Sequence, residues 1–165
     1  MQYYEEPTTT LPLLYAPWPR RILSSVIDIL VLAAISTPFI ASTLGSLLNQ
    51  TADLSKATNA QIRTLTIFSI LLQIAYFTAM HAWRGSTIGK MATGTVVVRE
   101  DGSTITAGIA FTRAVALVGL NFLSGFLLGI PAIVNLLRPL WSPKKQTWHD
   151  QLAHTVVVQR KASPR

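Results

Sequence analysis

Residues Arg20 to Leu48 read RRILSSVIDILVLAAISTPFIASTLGSLL: two arginines, then a long apolar run holding one acid, Asp28. From Ile22 to Leu48 the run is long enough to cross a bilayer as a helix, since about twenty apolar residues rising 1.5 Å each cover the roughly 30 Å hydrocarbon core. Asp28 lies two turns beyond Arg21 on nearly the same face, with Ser24 and Ser25 between them. A carboxylate at that depth costs about 2.5 to 3.5 kcal/mol unless it is paired or wet. Helical side chains lean toward the N-terminus, so Arg21 is expected to point away from Asp28 to the headgroups. The partner is therefore sought among cations entering from the same side: Arg113 first, then Arg138 and Arg84.

Composition agrees with a membrane chain. Of 165 residues half are apolar, 13% are charged, and the mean hydropathy is +0.40. The absence of cysteine excludes disulfides, thiolate metal sites and cysteine nucleophiles. The net charge of +7 is spread mostly beside apolar runs, which fits an anionic lipid surface and not nucleic acid. Glu5 and Glu6 at the start argue against a cleavable signal, so the first helix is read as a retained anchor.

Working outward, residues 1–19 hold four prolines among Tyr3, Tyr4, Tyr15 and Trp18, which bars helix and central strand and predicts a loosely held tail near the membrane. Pro38 should kink the first helix. Asn49 to Gln61 reads as a short polar loop, and Ile62 to Trp83 as the second crossing. The polar stretch from Arg84 onward contains a valine strand at 95–98 and an Asp101-Gly102 turn. Gly85 to Lys90 superficially matches a phosphate loop, but the glycine spacing is one residue short and Met91 stands where Ser or Thr is required. Nucleotide binding is excluded there.

A repeat organises the rest. Gly89-Lys90-Met91-Ala92-Thr93-Gly94-Thr95-Val96-Val97-Val98 aligns without a gap with His149-Asp150-Gln151-Leu152-Ala153-His154-Thr155-Val156-Val157-Val158. Two valine segments this short must pair to satisfy their backbones, which places both on one side of the membrane. Lys plus Arg number two before the first helix, two around the first loop, four from Arg84 to Arg113 and six from Arg138 onward. That bias puts the N-terminus, the second loop and the C-terminal tail in the cytoplasm. The third apolar region, 107–140, is accordingly expected to enter and return as a helical hairpin turning near Ser124 to Gly129, with arms of about 15 residues or roughly 22 Å. The alternative is one straight third helix, Ala114 to Leu137. Gly125-x-x-x-Gly129 is either a dimerising face or the hairpin's bend. By its place in the repeat Asp150 faces Lys90 at the membrane surface, caps the short C-terminal turn, or reaches Arg21.

The Arg21…Asp28 pair, the Gly85-Ser86-Thr87-Ile88-Gly89-Lys90 block and Trp148-His149-Asp150-Gln151-Leu152-Ala153 followed by Thr155 to Val158 resemble the RDD family of bacterial membrane proteins, over about residues 17–159. The resemblance implies Arg21, Asp28 and Asp150 as the named arginine and two aspartates, a multi-pass protein of the bacterial cytoplasmic membrane, and a loosely attached suggestion of ion transport. The family usually has glycine where this chain has His154. Residues 20–159 then form the transmembrane domain, with helices about 22–48, 62–83 and 107–140 and strands about 95–98 and 155–158, flanked by the 1–19 tail and a basic 160–165 end.

The fold class expected is all-α and polytopic with a small cytoplasmic strand pair. No nucleophile stands with a base and orienting acid, so no enzyme is expected. His81, His149 and His154 match no metal spacing, and no cofactor is expected. The charged set, with Arg21, Asp28 and Asp150 flanked by Arg113, Arg138, Arg84 and Lys90, is read as a polar network locking helices together. The matching role is a non-catalytic accessory or assembly subunit contacting lipid and other membrane proteins or itself. The alternative is a cation/proton or small-solute transporter acting as a homo-oligomer.

Overall fold

A computed structural model describes residues 13–48 and 54–160, with residues 47–48 and 54–58 described by backbone alone. Most of the 1–19 tail, the loop at 49–53 and the basic end from 161 lie outside the described residues. The first helix, α1, spans Trp18–Leu48 and runs on through Pro38. It starts earlier than its apolar run because Pro19 falls in the first turn, where a missing N–H is no loss. The tail is tied down just before it: Ala16 N donates to Val157 O at 2.9 Å, and Gln159 N to Leu14 O at 2.9 Å. Residues 14–16 are therefore not the loose tail expected. The second helix, α2, spans Leu54–Arg84 and begins inside the stretch read as a loop. Hydropathy marks where a helix is apolar, and the Lys, Ala and Gln residues of that stretch favour helix without being apolar.

Helix α3 (Ile88–Ala92) and strand β1 (Thr95–Arg99) follow, then α4 (Ala107–Phe126), α5 (Ile130–Leu137), a 3₁₀ turn at Arg138–Leu140, α6 (Trp148–Leu152) and β2 (Thr155–Gln159). Among the described residues three helices, α1, α2 and α4, are long and apolar enough to cross a membrane. The molecule is inverted relative to a water-soluble one: Leu128 is 91% exposed and Phe126 72%, whereas Asp28 is 2% and Asp150 0%. That distribution suits a lipid-facing exterior, where every polar group must be answered inside the chain. Several hydroxyls within the helices obey the same rule, whereas Thr78 Oγ1 on α2 is buried without a partner among the described residues. Ser25 Oγ, Thr37 Oγ1, Ser69 Oγ and Ser124 Oγ each donate to a carbonyl one turn back in their own helix.

The third apolar region is not a straight helix. It breaks at Leu128 and Gly129, both left-handed with φ of 49° and 79°, where Gly129 N closes onto Ser124 O at 2.8 Å. The chain then returns, so that Asn135 and Arg138 meet α6, which also meets Arg113 of α4. The arms are unequal, with 20 residues in α4 and 8 in α5. The start of α4 belongs to the cap, the layer formed by α3, α6 and the two strands, where Ala110 packs with Ala16, Val97, Ile105 and Val157. From Arg113 to Phe126 about 20 Å of helix remains, and α5 supplies about 12 Å. Among the described residues nothing lies within 4 Å of where a Cβ on Gly125 would stand, and Gly129 serves the bend.

Strands β1 and β2 pair antiparallel with Val97 opposite Val157. These are equivalent positions of the repeat, so a local two-fold axis passes between them. The equivalence reaches further back than the sequence alignment. Ser86 Oγ and Gln146 Nε2 donate to Thr95 O and Thr155 O at 2.8 and 2.9 Å. Thr87 and Thr147 cap α3 and α6 with nearly identical backbones. The first N–H of α3 is taken by Tyr76 Oη of α2, and that of α6 by Asn135 Oδ1 of α5. Gly94 and His154 both turn left-handed into their strands, at φ of 65° and 49°. Histidine there keeps the tight turn at roughly 1 kcal/mol of backbone cost. Each half is thus an outgoing helix, a returning helix, a short capped helix and a strand.

Pairing of the strands places the loop after β1 and the end of β2 on one face. With no native cysteine, Thr104→Cys and Arg160→Cys should behave alike toward an impermeant maleimide on intact cells, both labelled or both protected until permeabilisation. Labelling at one position alone would contradict the pairing.

Candidate functional site

Asp150 is the best enclosed charge among the described residues. As third residue of α6 it completes a capping box: Thr147 Oγ1 accepts from Asp150 N, and Asp150 Oδ2 accepts from Thr147 N at 3.1 Å. The same carboxylate receives Arg21 Nη1 at 3.0 Å and Arg113 Nη2 at 2.5 Å. Arg113 Nη1 also donates to Thr155 Oγ1 at 2.6 Å, and Arg21 Nη2 to Val157 O at 3.3 Å. Burial alone would raise the Asp150 carboxyl, but Arg113 and Arg21 outweigh it and hold the group well below the usual carboxylate range. It is charged throughout the working pH range.

Arg21 therefore does not reach out to the headgroups. At its place in the first turns of α1 its guanidinium folds across the N-terminal bend, Nε donating to Ala16 O at 3.3 Å, to reach the cap. Leaning toward the N-terminus was the right direction, but the cap and not solvent lies there.

Asp28 is also not paired as expected. Arg113 is engaged by Asp150, Arg138 donates to Gln151 Oε1 at 3.2 Å, and Arg84 stacks on Trp83 at 4.3 Å. Three neutral donors meet Asp28 instead: Tyr76 Oη at 2.7 Å, Thr87 Oγ1 at 2.6 Å and Gly89 N at 2.9 Å. The anion that the Gly85–Lys90 block receives at the start of α3 is thus the chain's own Asp28. Gly89 is required there by space, since a Cβ would lie 2.0 Å from Ser24 O and 2.9 Å from the Asp28 carboxyl carbon. Tyr76, Thr87 and Gly89 were missed by charge matching. Thr87 was findable as the cap residue of a helix whose repeat partner begins Thr147-x-x-Asp150.

Lys90 and Asp150 do not form the expected surface pair, although both border one cavity of about 390 Å³. Its polar end is formed by Arg21, Asp28, Lys90, Arg113, His149 and Asp150. Among the described residues no hydrogen bond or ion pair engages the Lys90 ammonium. Burial, followed by the neighbouring Arg113, pushes Lys90 down to about 8, so it stays charged at neutral pH. Burial drives His149 down to about 3, leaving it neutral despite Asp150 beside it. His81 is buried on α2, with Nδ1 2.8 Å from Phe77 O. His154 lies at the exposed turn before β2. Among the described residues no group of three His, Cys, Asp or Glu is placed to hold a metal ion.

The family model described as the RDD family matches residues 15–154. No curated protein and no solved structure matches the chain.

Removing a partner from the buried triad strands a charge, whereas altering Asp28 leaves one of its neutral donors unmatched. In detergent unfolding, Asp150→Asn should lower stability by about 3 to 5 kcal/mol, and Asp28→Asn by about 1 to 3 kcal/mol. Gly89→Ala should prise α3 from α1 and lower the melting temperature as well. Equal losses at the two aspartates would show that Asp28 is ion-paired after all.

Proposed function

Because the chain belongs to the RDD family, a family of membrane proteins, we propose that it is a non-catalytic, multi-pass accessory or assembly subunit whose named charges serve as a lock. The observation that supports this is the state of the three charges. Asp150 is held by both Arg21 and Arg113, and Asp28 accepts three hydrogen bonds from uncharged donors. A carboxylate that relays ions must exchange partners, and breaking a buried pair costs about 3 to 5 kcal/mol. As a lock the same set is well suited: it ties α1, α4 and α6 together and seats the sheet on the helices. In this reading the cap lies in the cytoplasm of a bacterial cell, following the distribution of Lys and Arg, and the hairpin of α4 and α5 enters the bilayer without crossing it.

The cavity beside Asp28 favours a second reading, a cation/proton or small-solute transporter acting as a homo-oligomer. Sizing in mild detergent and liposome flux separate the two. The accessory role predicts a monomer or a complex with other membrane proteins, and cation or proton flux the same for the parent and Asp28→Asn. A symmetric homo-oligomer whose flux falls at least tenfold in Asp28→Asn, about 1.4 kcal/mol in the transport barrier, would establish the transporter.

A further inference from the structure

The 390 Å³ cavity is two-natured. At the cap end it is lined by the charges described above. Away from the cap its walls are chiefly Ile29 and Leu32 of α1, Leu117 of α4 and Ile133 of α5, with Gln73 of α2 and Asn121 of α4 as polar side chains among them. Its side is open: Ile29 is 64% exposed and Ile133 56%, although both line the cavity. α1 packs on α2 and α3, and α5 on α4. Among the described residues one hydrogen bond joins α1 to α5, from Trp18 Nε1 to Leu136 O at 3.0 Å. The result is a slot between α1 and α5, its helices tied by that bond at the cap end and open along the apolar surface below.

The polar end carries an excess of positive charge. Arg21, Lys90 and Arg113 face Asp28 and Asp150, with His149 neutral. Both carboxylates are already engaged, Asp150 by two guanidiniums and Asp28 by three donors. Lys90 is the cation left to offer, with the Arg113 guanidinium beside it at the same end. Arg113 meets Asp150 together with Arg21, and Gly89 beside Lys90 packs on Ser24 and Asp28, about one to two turns further along α1. The cations therefore gather at the end of α1 nearest the headgroups of a bilayer it crosses.

We propose that this slot binds an anionic phospholipid of the surrounding bilayer, its phosphate received by Lys90 at the cap end and its acyl chains lying against Ile29, Leu32 and Ile133. A cation is repelled by Lys90. A free phosphate leaves the apolar walls unused. An amphiphile answers both ends, and the open side lets it enter from the bilayer without passing the cap. The site stands whether the protein is a scaffold or a transporter.

The test uses the full chain in a neutral detergent, titrated with short-chain phosphatidylglycerol, the matching phosphatidylcholine, or glycerol 3-phosphate, with melting temperature as readout. Phosphatidylglycerol should give a saturable rise that the other two do not reproduce. Lys90→Gln should weaken its half-saturation by about fivefold, the worth of one basic side chain at an anionic lipid. Ile133→Trp, which fills the mouth from an exposed position, should abolish the rise while leaving the unliganded melting temperature near that of the parent. Equal stabilisation by phosphatidylcholine, full stabilisation by glycerol 3-phosphate, or an undiminished rise in Ile133→Trp would each overturn the site. Should Lys90→Gln fail to fold, the lipid comparison and Ile133→Trp decide the matter between them.

Discussion

A fully buried carboxylate with a guanidinium on each side constrains the rest of this protein. Asp150 belongs to a five-residue helix that could not persist alone, yet it draws in Arg21 from the first helix and Arg113 from the fourth. Those contacts fix the height of the cap over the helices. They also fix where the chain must come back to, because Asp150 can meet Arg113 only if the region after α4 returns to its starting face. Breaking such an arrangement leaves a bare charge in a region of low dielectric, which makes it a strong determinant of geometry even where its net contribution to stability is small.

The second constraint is the approximate two-fold symmetry through Val97 and Val157. Each half uses a threonine to cap its short helix, a side chain of its returning helix to take that helix's first N–H, and a left-handed residue to enter its strand. The halves differ where the chemistry lies. The third position of the short helix is a lysine in one half and an aspartate in the other, so equivalent places carry opposite charge. The returning helix has 31 residues in one half and 8 in the other. The slot opens beside the shorter one.

Much of the architecture was legible in the sequence. Apolar runs gave α1, α2 and α4, the ten-residue repeat gave the strands, and the Lys and Arg bias demanded a returning third region. The partners of the two aspartates were not legible. Charge matching assigned Arg113 to Asp28 because both lie near the start of an apolar helix, but depth along a helix says nothing about which neighbour it faces. Nor does the search for cations find neutral donors. Tyr76 lies within an apolar run, and Gly89 contributes only an N–H. The short helices were hidden for another reason: at five residues they have no hydrophobic period, and their signal is a threonine cap, backed by an acid three residues on in α6 alone.

Both margins of the two-stranded sheet are closed by the chain itself. On the outer side of β1, Val97 N donates to Gly85 O at 2.8 Å; on the outer side of β2, Val157 O accepts from Ala16 N and Arg21 Nη2. Edge groups already bonded within the chain are poor templates for a strand from another molecule, so among the described residues the sheet disfavours templated aggregation and β-augmentation. The surface of this layer is accordingly written in side chains, and substitutions there can change it without disturbing the backbone beneath.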